Sequence, residues 1–267
     1  MRTIYAALAC LLVSAAGAQN NLAVTARLSD VQAGQTVYWQ PMEGGPGDSA
    51  VTTDGGFSFH RHVGDGEGDG YLLRIGKRLS KGSYLYIYLD KGTVFITGKG
   101  PLMTDARLSG TAYARDQTDL SDYLRRDSVV TGAEALYKHA QELYNNRDTA
   151  ALHALRPDLD RVHTTQTRLS RAWIALHPHS PISAYVLRRD LSYTLDIEEQ
   201  ERILGRLTPA AKNNVPGKAV AHSIAVEKLT GIGRVAPLFT QTDTAGHPVS
   251  LHDFRGKYGR VPRPAHR

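Results

Sequence analysis

The chain has 267 residues, a formal net charge of +6, 41% hydrophobic and 22% charged residues, and one cysteine. That length fits one or two domains of roughly 100–200 residues, and the composition is that of a globular protein with a real core. Beyond the N-terminus no apolar run approaches the ~20 residues that a membrane span needs, so a transmembrane segment is not expected. The positive charges are dispersed, as in Arg125-Arg126 and Arg188-Arg189. With no dense basic tract and no interleaved aromatics, they read as solvated surface rather than a nucleic-acid footprint.

Residues 1–18 read as an export signal. Arg2 supplies the positive start, Ile4 to Ala15 an apolar stretch too short to span a bilayer, and Ala16-Gly17-Ala18 the cleavage site. The expected localisation is therefore the periplasm or cell envelope. Cys10 lies inside this segment. Ala7-Leu8-Ala9-Cys10 partly looks like a lipid-attachment site, but a leader cut there has almost no apolar core. Cleavage after Ala18 leaves a mature chain without cysteine, so no thiolate nucleophile, disulfide or Cys-ligated metal is expected.

Residues 19–111 read as a β-rich domain. Leu22–Leu28, Thr36–Trp39, Gly56–His60, Tyr71–Ile75, Tyr84–Leu89 and Val94–Thr97 are short runs of alternating, β-branched or aromatic residues between glycine-rich turns. Their spacing predicts an antiparallel β-sandwich or barrel. Residues 112–232 read as a helical spacer. Ala133–Leu143 and Asp158–Leu176 carry helical periodicity, and Ser180-Pro181 is expected to open a third helix with Ser180 as its cap. Asp196 with Glu199 has capping-box spacing. Thr208-Pro209 opens a short helix, and a last one runs from Pro216 to Thr230 with Gly231 as its stop. A strand–turn–strand pattern follows over Phe239–Thr242, Thr244–His247 and Pro248–Leu251. The last residues, rich in Arg and Pro, cannot form a central strand and are expected to be disordered over 259–267. The predicted fold class is thus α+β: sandwich or barrel, helical spacer, and an incomplete third unit.

The stretch Gly233 to Tyr258 contains Ala236-Pro237-x-Phe239, a glycine turn, and Val249-Ser250-Leu251-x-Asp253-Phe254-x-Gly256-Lys257. It resembles the entrance of the thioredoxin-like domain in extracytoplasmic thiol–disulfide oxidoreductases of bacterial envelopes. His177 to Leu187, Leu207 to Lys212 and Gly217-Lys218 resemble that family's helical spacer. Val37-Tyr38-Trp39, Asp48-Ser49 and Gly55 to Phe59 resemble the domain of unknown function that precedes it. The resemblance implies that residues 233–258 start a thioredoxin-like domain, with Phe239 plugging its core. The family continues with an apolar strand and Trp-Cys-x-x-Cys, whereas Tyr258 here precedes Gly-Arg-Val-Pro-Arg-Pro. No catalytic residue of the family carries over, and the exchange reaction needs a thiolate. The chain therefore reads as a truncated, catalytically inactive member of that family. A shifted reading frame and a natural non-redox variant both fit the tail. The alternative is a non-enzymatic envelope module whose β domain binds a protein partner. Residues beyond about Gly233 are expected to be loosely held.

Other constellations are weaker. Asp65-Gly-Glu-Gly-Asp-Gly70 offers oxygens at alternate positions, as a calcium loop does, but its twelfth position is Gly76 where a bidentate Glu is needed. It reads as an acidic hairpin loop. His60 with His62 and His177 with His179 are half-sites without a third ligand. Tyr84, Tyr86 and Tyr88 share one strand face, which is ordinary sheet packing or, if exposed, a ligand surface. No catalytic, cofactor-binding or metal residue is assigned, and no cofactor. If the export reading is correct, mass spectrometry of the protein recovered from the envelope finds Gln19 as its first residue. Retention of Met1 overturns it.

Overall fold

The computed structural model describes residues 20–42, 44, 47–76, 84–100, 103 and 105–256. Residues 1–18, read above as an export signal, with Cys10, the tail at 259–267, and Lys257 and Tyr258 lie outside the described residues. The strands are β1 (Leu22–Ser29), β2 (Thr36–Pro41), β3 (Asp48–Val51), β4 (Gly56–Arg61), β5 (Asp69–Ile75), β6 (Tyr84–Leu89), β7 (Gly92–Lys99) and β8 (Arg107–Ser109). The helices are α1 (Ala112–Leu124), α2 (Ser128–Thr131), α3 (Ala133–Asn145), α4 (Thr149–Ala154), α5 (Arg156–Leu176) and α6 (Ser183–Val186). A π turn (Leu187–Leu191) continues α6. Then come α7 (Ile197–Arg206), α8 (Pro209–Lys212), α9 (Val215–Thr230), the hairpin strands β9 (Thr240–Thr242) and β10 (Pro248–Ser250), and a 3₁₀ turn (Leu251–Phe254).

The fold is mixed α and β. Two four-stranded sheets, ordered β4-β1-β7-β8 and β3-β2-β5-β6, face each other across one buried cluster. Alternation builds this: Leu22, Val24, Ala26 and Leu28 of β1 point inward while the residues between them stay at least partly exposed. Trp39 of one sheet stacks on Phe59 of the other, ring centroids 3.9 Å apart. Sequence reading predicted an all-antiparallel arrangement, which needs one correction: β1 and β7 run parallel, Leu22 opposite Gly92 and Ser29 opposite Lys99. It also passed over β3, a short exposed edge strand, and β8, only three residues long. Neither is long enough to display a period.

The buried cluster does not stop at residue 111. It runs on through Tyr113, Ala114 and Leu120 of α1 into Trp173, Ile182, Tyr185, Leu187, Leu191, Val220 and Ile224. Thr111 caps α1, its side chain accepting from Ala114 N–H, and Asp196 caps α7 by accepting from Glu199 N–H. The expected cap at Ser180 is displaced. Its hydroxyl donates to Asp116 at 2.5 Å and accepts only a long 3.4 Å bond from Ile182 N–H, and the helix begins at Ser183 instead.

Helix α1 holds the two sheets through consecutive side chains. Strand β6 is the edge of its sheet, so one side of its backbone lacks a neighbouring strand. Gln117 supplies the missing partner: its Oε1 accepts from Tyr88 N–H at 2.6 Å and its Nε2 donates to Tyr88 O at 2.9 Å. Strand β8 is an edge of the other sheet. There Thr118 Oγ1 accepts from Leu108 N–H at 2.7 Å and donates to Leu108 O at 2.8 Å.

The C-terminal hairpin stands apart from this core. No residue from Gly231 to Gly256 is buried, and Leu238, Phe239 and Phe254 are exposed. Phe239 therefore does not plug a core, because the described residues include nothing that covers it. The strand at this point begins at Thr240, one residue later than its sequence suggests.

Replacing Gln117 with Leu keeps the volume but leaves the buried Tyr88 N–H and C=O without partners. A loss of about 1–3 kcal/mol is expected for each orphaned group, read as a lower urea midpoint. An unchanged midpoint shows that the strand edge is satisfied in some other way.

Candidate functional site

The groups with the most chemistry meet where β5, β6, α1 and the π turn converge. A π turn places five residues where an α-helix fits fewer, and such turns recur at functional sites. Here it carries Arg188, Arg189 and Asp190. Arg188 reaches the buried Asp69 of β5, with Nη1 3.5 Å from Oδ1. Arg189 is bound by the neighbouring Asp190 at 2.5 and 2.8 Å, and Asp190 also accepts from Ser170 of α5 at 2.8 Å. The Arg188-Arg189 pair, read from the sequence as solvated charge, is therefore half-buried and committed to carboxylates, with side-chain exposures of 19% and 23%.

Three tyrosines pack beside these ions. Tyr88 is fully buried and meets Tyr113 edge-on at 5.5 Å and Tyr185 at 5.9 Å. The Arg189 guanidinium sits 5.1 Å from the centre of the Tyr185 ring, a cation–π contact. Tyr185 presses on Gly70 so closely that a Cβ there would lie 2.5 Å from its ring and 2.8 Å from Met42 Sδ. Glycine is needed in β5 for that approach. Tyr113 donates its hydroxyl to Asp90 O at 2.6 Å. The hydroxyls of Tyr88 and Tyr185, by contrast, are buried without a hydrogen bond of good geometry, Tyr185 having the Arg189 guanidinium as its polar neighbour.

Burial shapes the titration of the cluster. It raises the pKa of Tyr88, Tyr113 and Tyr185 above the ordinary phenol value, with neighbouring carboxylates adding to the effect at Tyr88 and Tyr185. Burial raises Asp69 and lowers Arg188, since each charge has left water. Burial also opposes the charge on Arg189, but the Asp190 carboxylate and Tyr185 together outweigh it and hold the guanidinium protonated.

Two hollows flank this junction. A cleft of about 220 Å³ lies between β6 and α1, lined by Tyr84, Tyr86, Leu120, Leu124, Tyr185 and Arg189 among others. A second, of about 540 Å³, lies beyond the π turn against α7 and α9, beside Met42, Ser192, Tyr193, Gln200 and His222.

The residues singled out from the sequence fall in different places. Tyr84, Tyr86 and Tyr88 do share a strand, yet Tyr84 is half-buried, Tyr86 exposed and Tyr88 fully buried, because β6 runs under α1. The acidic loop does not gather its oxygens. Asp65 pairs with Lys91, Glu67 accepts from Gly64 N–H at 2.9 Å, Asp69 sits in β5 facing Arg188, and Gly70 is a strand residue. His60 and His62 are exposed. His177 stacks on Trp173 at 4.2 Å and lies 3.4 Å from Asp119, while His179 is exposed. Among the described residues no group of three or more His, Cys, Asp or Glu is placed to hold a metal ion.

Sequence reading passed over Gln117, Thr118, Tyr185 and Asp190, and took Arg189 for solvated charge. The available signal was Ile182-Ser-Ala-Tyr-Val-Leu187, an apolar run that ends abruptly in Arg-Arg-Asp. No protein-family model matches the chain, and no curated protein does.

The raised tyrosine pKa values have a definite sign. A phenol whose folded pKa exceeds its unfolded value of 10.0 leaves stability intact below that pH and costs stability as pH rises beyond it. In an alkaline titration, the phenolate absorbance of the buried tyrosines is therefore expected to appear together with loss of the far-ultraviolet dichroism. Smooth ionisation with the fold intact contradicts the packing described.

Proposed function

We propose that this chain is an exported cell-envelope protein of the thioredoxin-like thiol–disulfide oxidoreductase kind, representing its leading, non-catalytic portion. In this reading residues 19–111 are the β domain, 112–232 the helical spacer, and 233–258 the opening of the thioredoxin-like unit. The supporting observation is the hairpin of β9 and β10 with its 3₁₀ turn. Its order of strand, turn, strand and short helix is that of the resembled entrance, and its apolar residues lie uncovered. An isolated two-stranded hairpin is at best marginal in water. Leu238, Phe239 and Phe254 are the face on which a central sheet would sit.

The redox step does not belong to these residues. A single cysteine, Cys10, cannot cycle between dithiol and disulfide within the chain. The body from residue 20 to residue 230 contributes structure and recognition instead.

Two readouts test this together. The purified chain is expected to reduce insulin no faster than the uncatalysed rate, and turnover refutes the non-catalytic assignment. The DNA beyond the Lys257 codon, translated in all three frames, is expected to encode an apolar strand and Trp-Cys-x-x-Cys. Absence of that motif from every frame refutes the family assignment.

A further inference from the structure

We propose that the hollow between α5 and α7 binds a phosphate monoester. This goes beyond the redox reading and does not depend on it. Helix α7 carries Glu199, Arg202, Ile203 and Arg206 at the spacing of a single helix face. Helix α5 meets that face with Arg171 and Ile174. The hollow between them encloses about 260 Å³. Its floor is apolar, with Ile174, Ile203 and Leu207 buried there. Its rim is cationic, formed by the guanidinium groups of Arg171, Arg202 and Arg206.

Charge selects the ligand. Glu199 is the one carboxylate among the described lining residues. It gives one oxygen to each of two partners, Oε1 to Arg171 and Oε2 to Arg202, the latter at 3.1 Å. Those two guanidiniums are thus drawn to one carboxylate from facing helices, while their side chains stay 51% and 60% exposed. Each has five N–H donors, so most remain open to a ligand. Arg206 pairs with no described residue and is exposed. It follows Arg202 by four positions, a spacing at which like charges destabilise a helix. Its place in the last turn of α7 suits the helix dipole, but that accounts for neither Arg171 nor the shared carboxylate. Three guanidiniums against one carboxylate leave two positive charges uncompensated. A ligand carboxylate returns one negative charge, whereas a phosphate monoester returns about 1.5–2 at neutral pH. Its oxygens also suit the guanidinium fork, which binds phosphate through paired N–H donors. The floor takes the organic group of the ester, since an apolar cavity of about 150 Å³ already accepts benzene.

The test uses the full chain with phenyl phosphate and phenyl sulfate as probes, followed by calorimetry. Phenyl phosphate is expected to saturate in the millimolar range or tighter. Phenyl sulfate has the same ring and one charge, and binds about tenfold more weakly. Arg206→Gln, at an exposed and unpaired position, melts with the parent protein and weakens phenyl phosphate about tenfold, and Arg171→Gln weakens it as much. Vesicles of phosphatidylcholine with and without phosphatidic acid identify the source of the ester. Capture that requires phosphatidic acid and is lost in Arg206→Gln makes the ligand a lipid headgroup, while saturation by phenyl phosphate without capture makes it a soluble ester. The proposal is overturned if phenyl phosphate does not saturate, if phenyl sulfate binds equally well, or if either substitution leaves the affinity unchanged.

Discussion

Two adjacent side chains on one helix cover one edge of each sheet of the sandwich. A sheet edge presents unpaired N–H and C=O groups, and burying them without partners is costly. Gln117 answers the edge at Tyr88 and Thr118 the edge at Leu108, one in each sheet. Neighbouring helix positions point in directions about 100° apart, so α1 lies over the gap and serves both edges at once. The amide of Gln117 offers one donor and one acceptor to the strand, as another strand would, and the Thr118 hydroxyl does the same with a single atom.

That placement leads to the rest of the helical region. With α1 fixed, Asp116 receives Ser180 and Asp119 receives Trp173 Nε1 at 2.8 Å. These bonds bring α5 and α6 over the sheets and carry the π turn into the junction. The charges there come in compensated pairs, Arg188 with Asp69 and Arg189 with Asp190. Removing one member of such a pair is far more damaging than its net worth implies, because the other is left desolvated. Tyr185 occupies the space between them, and it fits only because β5 has glycine at position 70.

Much of the fold was legible because it rests on local periodicity. The six longer strands and the helices at Ala133, Asp158, Asp196 and Val215 announce themselves by alternation, caps and prolines. What was not legible is mostly tertiary. Nothing local distinguishes a glutamine that completes a distant strand from one that faces water. Arg188-Arg189 reads as surface until Asp69, far away in sequence, is seen to meet it. Ser180 has the makings of a cap, yet a charged partner on another helix claims its hydroxyl. Strand direction escaped for the same reason, since pattern shows that β1 and β7 are strands and is silent on which way they pair. The acidic loop failed as a calcium reading because its alternate carboxylates are drawn to Lys91, to a backbone amide and to Arg188.

The parallel pairing of β1 with β7 also sets an order of assembly. Leu22 waits for Gly92, and both sheets stay open-edged until α1 arrives still later. Contacts between such distant segments form late and slowly, because the loop must close before any pairing repays it. A nascent chain that stops short of α1 thus leaves the β6 and β8 rims without their helical partner, whereas one that reaches residue 124 can cover that rim of each sheet. The arrival of the helix halves the number of open rims, so its timing bears on how long the β6 and β8 edges can stick to those of another chain.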